Sequence, residues 1–148
     1  MAHISESRAS LRIIGDLLDP EEITKLLGGS PTSAEKKGDM IIGRTTGKKR
    51  EVRRGMWRLV ASEKSPENLD GQVEEILNQL TKDIAVWGKL GSQFKMDLFC
   101  GIFMEAGNEG MTISSKTLLE LGQRGIELGL DIYGPSKEAL SENSNKAQ

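Results

Sequence analysis

Six cations, Arg44, Lys48, Lys49, Arg50, Arg53 and Arg54, crowd the stretch GRTTGKKREVRR at residues 43 to 54. From Lys36 to Arg58 there are nine Lys or Arg against Asp39 and Glu51, a local charge of +7 in a chain whose total is −2. Cations packed this densely could contact several phosphates and release their counterions, so a polyanion or nucleic-acid site is one reading. A nucleotide loop is not, because the Walker pattern needs four residues between its glycines and a Ser or Thr after the lysine. Here only Arg44, Thr45 and Thr46 separate Gly43 from Gly47, and Lys49 follows Lys48. A solvated β-hairpin connection explains the lysines equally well, since charged edges discourage sheet-to-sheet pairing. Stacking aromatics are also scarce nearby, with Trp57 alone close in sequence and better placed in a core.

Other chemistry has few carriers. The one histidine, His3, lies near the start of the chain, so histidine acid–base catalysis and His-rich metal sites are not expected. No cofactor is expected either. Cys100 shares the parity of Leu98 and Ile102 and reads as a core thiol, which is usually inert. Asp97 and Asp131 would both point outward from a sheet; on neighbouring strands they could share a proton or hold a hard cation. That is the route open to a carboxylate-based enzyme. Cross-strand ion pairs with Arg12, Arg58 or Lys95 explain the same acids without catalysis.

The elements that position these residues are marked by period and punctuation. ASLRIIG is a short apolar strand stopped by glycine. Asp19, Pro20 and Glu22 form a helix start, Ile23, Leu26 and Leu27 its apolar face, and Gly28 with Gly29 its stop. Met40, Ile41 and Ile42 suit a short strand. GMWRLVAS alternates, with Trp57, Leu59 and Ala61 on one side and Met56, Arg58 and Val60 on the other. Ser65 and Pro66 open what the spacing of Leu69, Val73, Ile76, Leu77, Leu80, Ile84 and Trp87 predicts to be one long helix, closed by Gly88 and Gly91. FKMDLFCGIFME alternates again, putting Met96, Leu98, Cys100, Ile102 and Met104 inward and Lys95, Asp97, Phe99 and Phe103 outward. MTIS suits a returning strand. Ser114 or Ser115 caps a short helix through Leu118, Leu119 and Leu121, ended by Gly125. In IELGLDIY, Ile126, Leu128, Leu130 and Ile132 would point inward, and Glu127, Asp131 and Tyr133 outward.

This order predicts an α+β domain: a mostly antiparallel sheet of about five or six strands with three helices on one face. A pseudo-duplicated, ferredoxin-like arrangement also fits it. The second face would then carry Arg12, Arg58, Phe99, Phe103 and Tyr133, together with Ile14 and Val60. Apolar and aromatic groups amid charges look like an interaction surface, unless residues 29 to 54 fold over them.

Length and composition agree with a single domain. The chain has 148 residues, 36% of them hydrophobic and 28% charged, as in an ordinary globular protein. Residues 1 to 8 read as a flexible leader, 9 to 134 as the domain, and 135 to 148 as a disordered polar tail. No apolar run is long enough to span a bilayer, and the start lacks the apolar core of a signal peptide, so a cytoplasmic location without membrane contact is expected.

The run SLRIIGDLLDPEEITKLLGGSPT, then KKGD at 36 to 39, GMW before a strand, and LDIYG resembles the bacterial proteins grouped as domain of unknown function 4279. The likeness spans Ala9 to Gly134. It implies a small bacterial domain and brings no catalytic residue with it. The leading expectation is a non-enzymatic interaction module that meets a protein partner or a second copy through its sheet face or an edge. Nucleic-acid or polyanion binding by the basic segment is the alternative.

Overall fold

The computed structural model describes residues 3 to 137. Its strands are β1 (Glu6–Gly15), β2 (Ser33–Glu35), β3 (Met40–Ile42), β4 (Lys49–Glu51), β5 (Gly55–Val60), β6 (Lys95–Phe103) and β7 (Glu127–Tyr133). Its helices are α1 (Pro20–Leu27), α2 (Leu69–Leu77), α3 (Ile84–Gln93) and α4 (Ser115–Gln123). The main sheet has five strands in the order β2-β5-β1-β6-β7, and β3 and β4 form a separate hairpin. All pairings are antiparallel except β6 with β7, which α4 connects. The architecture is the expected α+β, with four helices in place of three. A ferredoxin-like duplication is not confirmed, as the single parallel pair of the main sheet stands at its edge.

One side of the sheet is buried beneath the helices. Leu11 and Ile13 of β1, Trp57 and Leu59 of β5, and Leu98 and Cys100 of β6 share one core with helix residues such as Ile23, Val73, Ile76 and Leu121. The strand parities are those the alternation predicts. Local signals hold too: Asp19 accepts from the Glu21 amide, Pro20 opens α1, and Gly28 closes it at φ 74°, a conformation glycine adopts without strain. The Ser114 hydroxyl caps α4 at the Thr117 amide.

Four expectations need correction. The predicted long helix is two, because Asp83 caps a new start at Ile84 by accepting from the Ala85 amide, and the connection between them is held by bonds to other parts of the chain. The Thr81 amide donates to the Leu27 carbonyl at 2.7 Å, and Trp87 Nε1 donates to the Thr81 carbonyl at 2.9 Å. Leu80 stays buried inside the break, so the apolar spacing runs on although the helix does not. The start is capped by Asn68 rather than Ser65, and Gly88 and Gly91 lie within α3 instead of ending it.

Residues 4 to 8, expected in a flexible leader, are part of the fold. Ile4 is buried and β1 begins at Glu6, where polar residues hide the strand from a hydrophobic pattern. Ser7 is fully buried and donates to Gln72 Oε1 at 2.7 Å, while Gln72 Nε2 donates to the carbonyls of Ser7 and Ser62, both at 2.9 Å. Each buried polar group is thereby satisfied. MTIS forms no strand; Gly110 makes an isolated bridge to His3. On β7, Ile126 just before the strand is buried and Leu128 partly so, but Leu130 and Ile132 are exposed, because β7 is an edge whose far end no helix covers among the described residues. Most of the tail expected over 135 to 148 lies outside the described residues. Among the described residues, no helix is long and apolar enough to cross a membrane.

Candidate functional site

The second face of the sheet is a grid set by register. Its rows across the strands are Met56, Ile14 and Lys95; then Arg58, Arg12, Asp97 and Glu127; then Val60, Ser10, Phe99 and Gly129. Beyond these come Arg8, Gly101 and Asp131, and finally Glu6, Phe103 and Tyr133. Arg12, Arg58, Phe99, Phe103 and Tyr133 therefore share one face.

The hairpin approaches one end of this face. Arg50 of β4 meets Glu35 of β2 at 2.8 Å, and Lys37 meets Asp16 at 3.3 Å. Ile14 at that end is buried without belonging to the main core. The other end is open and forms a recess of about 280 Å³, bordered by Arg8, Ser10, Arg58, Phe99, Phe103 and Tyr133 among others.

Its walls are ordered by π contacts and ion pairs. The Arg12 guanidinium lies 4.4 Å from the Phe99 ring centroid and grips Asp97 with two hydrogen bonds, 2.8 Å from Nε and 2.6 Å from Nη2. That bond to Asp97 holds the Arg12 pKa above its ordinary value, so the cation is permanent. Phe103 is flanked by Arg8, 5.0 Å from its centroid, and by Tyr133, stacked at 4.9 Å with an interplanar angle of 5°. Gly101 makes room for this stack, since a Cβ there would come within 3.2 Å of the Phe103 ring. The Tyr133 hydroxyl donates to Asp131 Oδ2 at 2.7 Å, which favours the protonated phenol and raises its pKa. Arg8 is held by Glu6 at 3.1 Å and Glu63 at 3.5 Å. Arg58, half-buried, has no ion pair among the described residues.

The two candidate catalytic carboxylates share this face but do not converge. Asp97 pairs with Glu127 and Asp131 with Gly101, which sets them four residues apart along parallel strands, roughly 13 Å at the usual rise. Asp97 is spent on Arg12 and Asp131 on Tyr133. Among the described residues no group of three His, Cys, Asp or Glu could hold a metal ion.

Arg44, Lys48, Lys49, Arg50, Arg53 and Arg54 are all exposed on the hairpin and the segment after it, and of these only Arg50 has an ion pair among the described residues. The hollow of about 520 Å³ beside Arg50, Glu51 and Arg53 is larger than the sheet recess, but three side chains alone border it, so it is open surface.

Cys100 is buried in the core face, where loss of hydration pushes its thiol up to about 12. At neutral pH this cuts the thiolate fraction about a thousandfold relative to a free thiol. A maleimide reagent is expected to leave Cys100 unmodified in the folded protein and to label it fully in denaturant. Because the unfolded chain releases this proton more readily, the site leaves stability unchanged below 9.0 and lowers it as pH climbs from there to about 12.

Sequence reasoning missed Arg8, Ser10 and Gly101. Arg8 fell in the supposed leader, and small residues such as Ser10 and Gly101 carry no signal until register places them beneath aromatic walls. The pair Asp131 and Tyr133, two apart on a strand, could have been found from spacing alone.

No curated protein and no solved structure matches the chain significantly. Residues 5–135 match the family described as "Domain of unknown function (DUF4279)". A match over nearly the whole chain means that it belongs to this family.

Proposed function

We propose that the domain is a non-enzymatic interaction module that binds a protein partner through the open end of its second sheet face. One observation carries this reading: the helices cover only one side of the sheet, and the other presents Phe99, Phe103 and Tyr133, stacked with arginines around a recess. Aromatics and arginine are the residues most enriched where interfaces draw their energy. A second copy of the chain is an equivalent partner for such a face; Leu130 and Ile132, exposed on the opposite side of edge strand β7, lie outside it.

Polyanion binding is the second reading, supported by the unpaired cations of the hairpin. One experiment separates the two. The immobilised protein captures partners from lysate of its source organism, in three forms: unaltered, Phe99→Ala with Tyr133→Ala, and Lys48→Glu with Lys49→Glu and Arg50→Glu. Sedimentation reports self-association of the same forms. Capture or self-association should vanish in the aromatic variant and persist in the charge-reversed one. The opposite pattern, with retention on DNA that falls steeply with salt, would replace the sheet-face reading with the polyanion one.

A further inference from the structure

We infer that the recess seats a single carboxylate, carried by an acidic side chain of the partner protein; this rests on the sheet-face reading and supplies its chemistry. Arg58 stands directly opposite Arg12 in register, an arrangement of like charges that is unfavourable unless compensated. Asp97 neutralises Arg12, but no carboxylate among the described residues reaches the Arg58 guanidinium. Diagonal to Arg58 lies Ser10, only 3% exposed, bordering the recess with a hydroxyl that has no hydrogen-bond partner among the described residues. The hydroxyl keeps access to solvent through the recess, so its proton is free to be donated to an incoming acceptor. One carboxylate answers both groups, taking the fork of the guanidinium and the proton of the hydroxyl.

The occupant's size and surroundings follow from the walls. At about 280 Å³ the recess lies at the small end of ligand pockets, and Phe99 and Tyr133 beside it remain 37% and 49% exposed. A small free acid would stay largely hydrated there, and its ion pair would be weak. An acidic residue of a protein is carried in by the rest of the contact, which covers the aromatics and dries the pair. Glu63 and Asp131 also border the recess and repel a second acid, so the segment carries one Asp or Glu flanked by apolar or basic residues. The same two acids disfavour a phosphate backbone.

A displayed library of random peptides, selected on the full-length protein, tests this. Selection should enrich peptides with a single acid among apolar or basic neighbours. Affinity for them should fall about ten- to hundredfold on Arg58→Gln, as loss of a charge-assisted pair implies, and severalfold on Ser10→Ala. Replacing the peptide's acid by its amide should weaken binding to the unaltered protein but not further to Arg58→Gln. Thermal melting checks that each variant is folded, and Arg58→Lys, which keeps the charge and loses the fork, should bind between the two. Peptides without acid preference, or indifferent to both substitutions, would overturn the carboxylate assignment. If those peptides still lost affinity on Phe99→Ala with Tyr133→Ala, the sheet-face reading would stand. If nothing were enriched, or no substitution on the face mattered, both would fall.

Discussion

Arg12→Met should destabilise the protein by about 2–4 kcal/mol, well beyond what a surface ion pair contributes. The Asp97 side chain is only 9% exposed, and its two hydrogen bonds from Arg12 are what make its charge tolerable there. Without the guanidinium a carboxylate is left uncompensated in a poorly hydrated place, and the cation–π contact with Phe99 is lost as well. Asp97→Asn should cost less, about 1–2 kcal/mol, because the Arg12 side chain is 26% exposed and can turn to water. Joining Arg12→Met with Asp97→Leu should restore most of the loss, since removing both charges leaves nothing buried and unpaired. Urea denaturation of the unaltered protein, Arg12→Met, Asp97→Leu and the double substitution gives the coupling energy directly. Equal small losses from both single substitutions would mean that water reaches the pair and that it is an ordinary surface contact.

The same pair shows how far the sequence could be read. The alternation in FKMDLFCGIFME placed Asp97 and Phe99 on the outer face, and Arg12 followed from the strand before it, so the face was legible from a period of two. What could not be read was which residues stand opposite one another. Arg12 faces both Arg58 and Asp97 only because β1 lies between β5 and β6, an order set by long-range packing rather than by any local signal. The recess is a product of that order. Ser10 and Gly101 form part of it only once Phe99, Phe103 and Tyr133 are raised around them.

Elsewhere the misses share a cause. Spacing reports burial, and burial was taken for helical continuity at Leu80, which is buried in a break between α2 and α3. At the start of β1 the reverse happened, for Ser7 is buried against Gln72, which also bonds the Ser62 carbonyl, and no hydropathy pattern records such a partner. On β7 the inward parity was read correctly near Ile126 and Leu128, but an edge strand runs past the helices that would bury its last residues. Caps were legible at Asp19, Gly28 and Ser114, which act within a few residues of themselves, but not at Ser65 or at Gly88 and Gly91, where the helix bounds lie elsewhere.

Trp57→Ala should cost about 3–5 kcal/mol, a large part of the roughly 5–15 kcal/mol that holds a domain of ordinary stability. Trp57 is fully buried beneath α1, and its Nε1 donates to the Thr24 hydroxyl at 3.1 Å, so truncation leaves a large cavity and removes that hydrogen bond. Trp57→Phe should lose less, about 1–3 kcal/mol, since most of the ring volume remains and half-buried Thr24 can turn to water. Thermal and urea unfolding measure both. The contrast with the other face is the more informative part. Gly55, Met56 and Trp57 belong to the residues that carry the family likeness, and Trp57 serves the core; so do Leu27 and Ile13, while Asp19 serves a cap. The same stretches also hold Ser10, Arg12, Asp131 and Tyr133 of the second face, so the likeness spans both sides of the sheet. Trp57→Phe, folded but less stable, should bind selected peptides as the unaltered protein does, whereas Phe99→Ala with Tyr133→Ala should keep most of its stability and lose them. A Trp57→Phe protein that remained folded and yet lost peptide binding would show the two faces of the sheet to be coupled through β5.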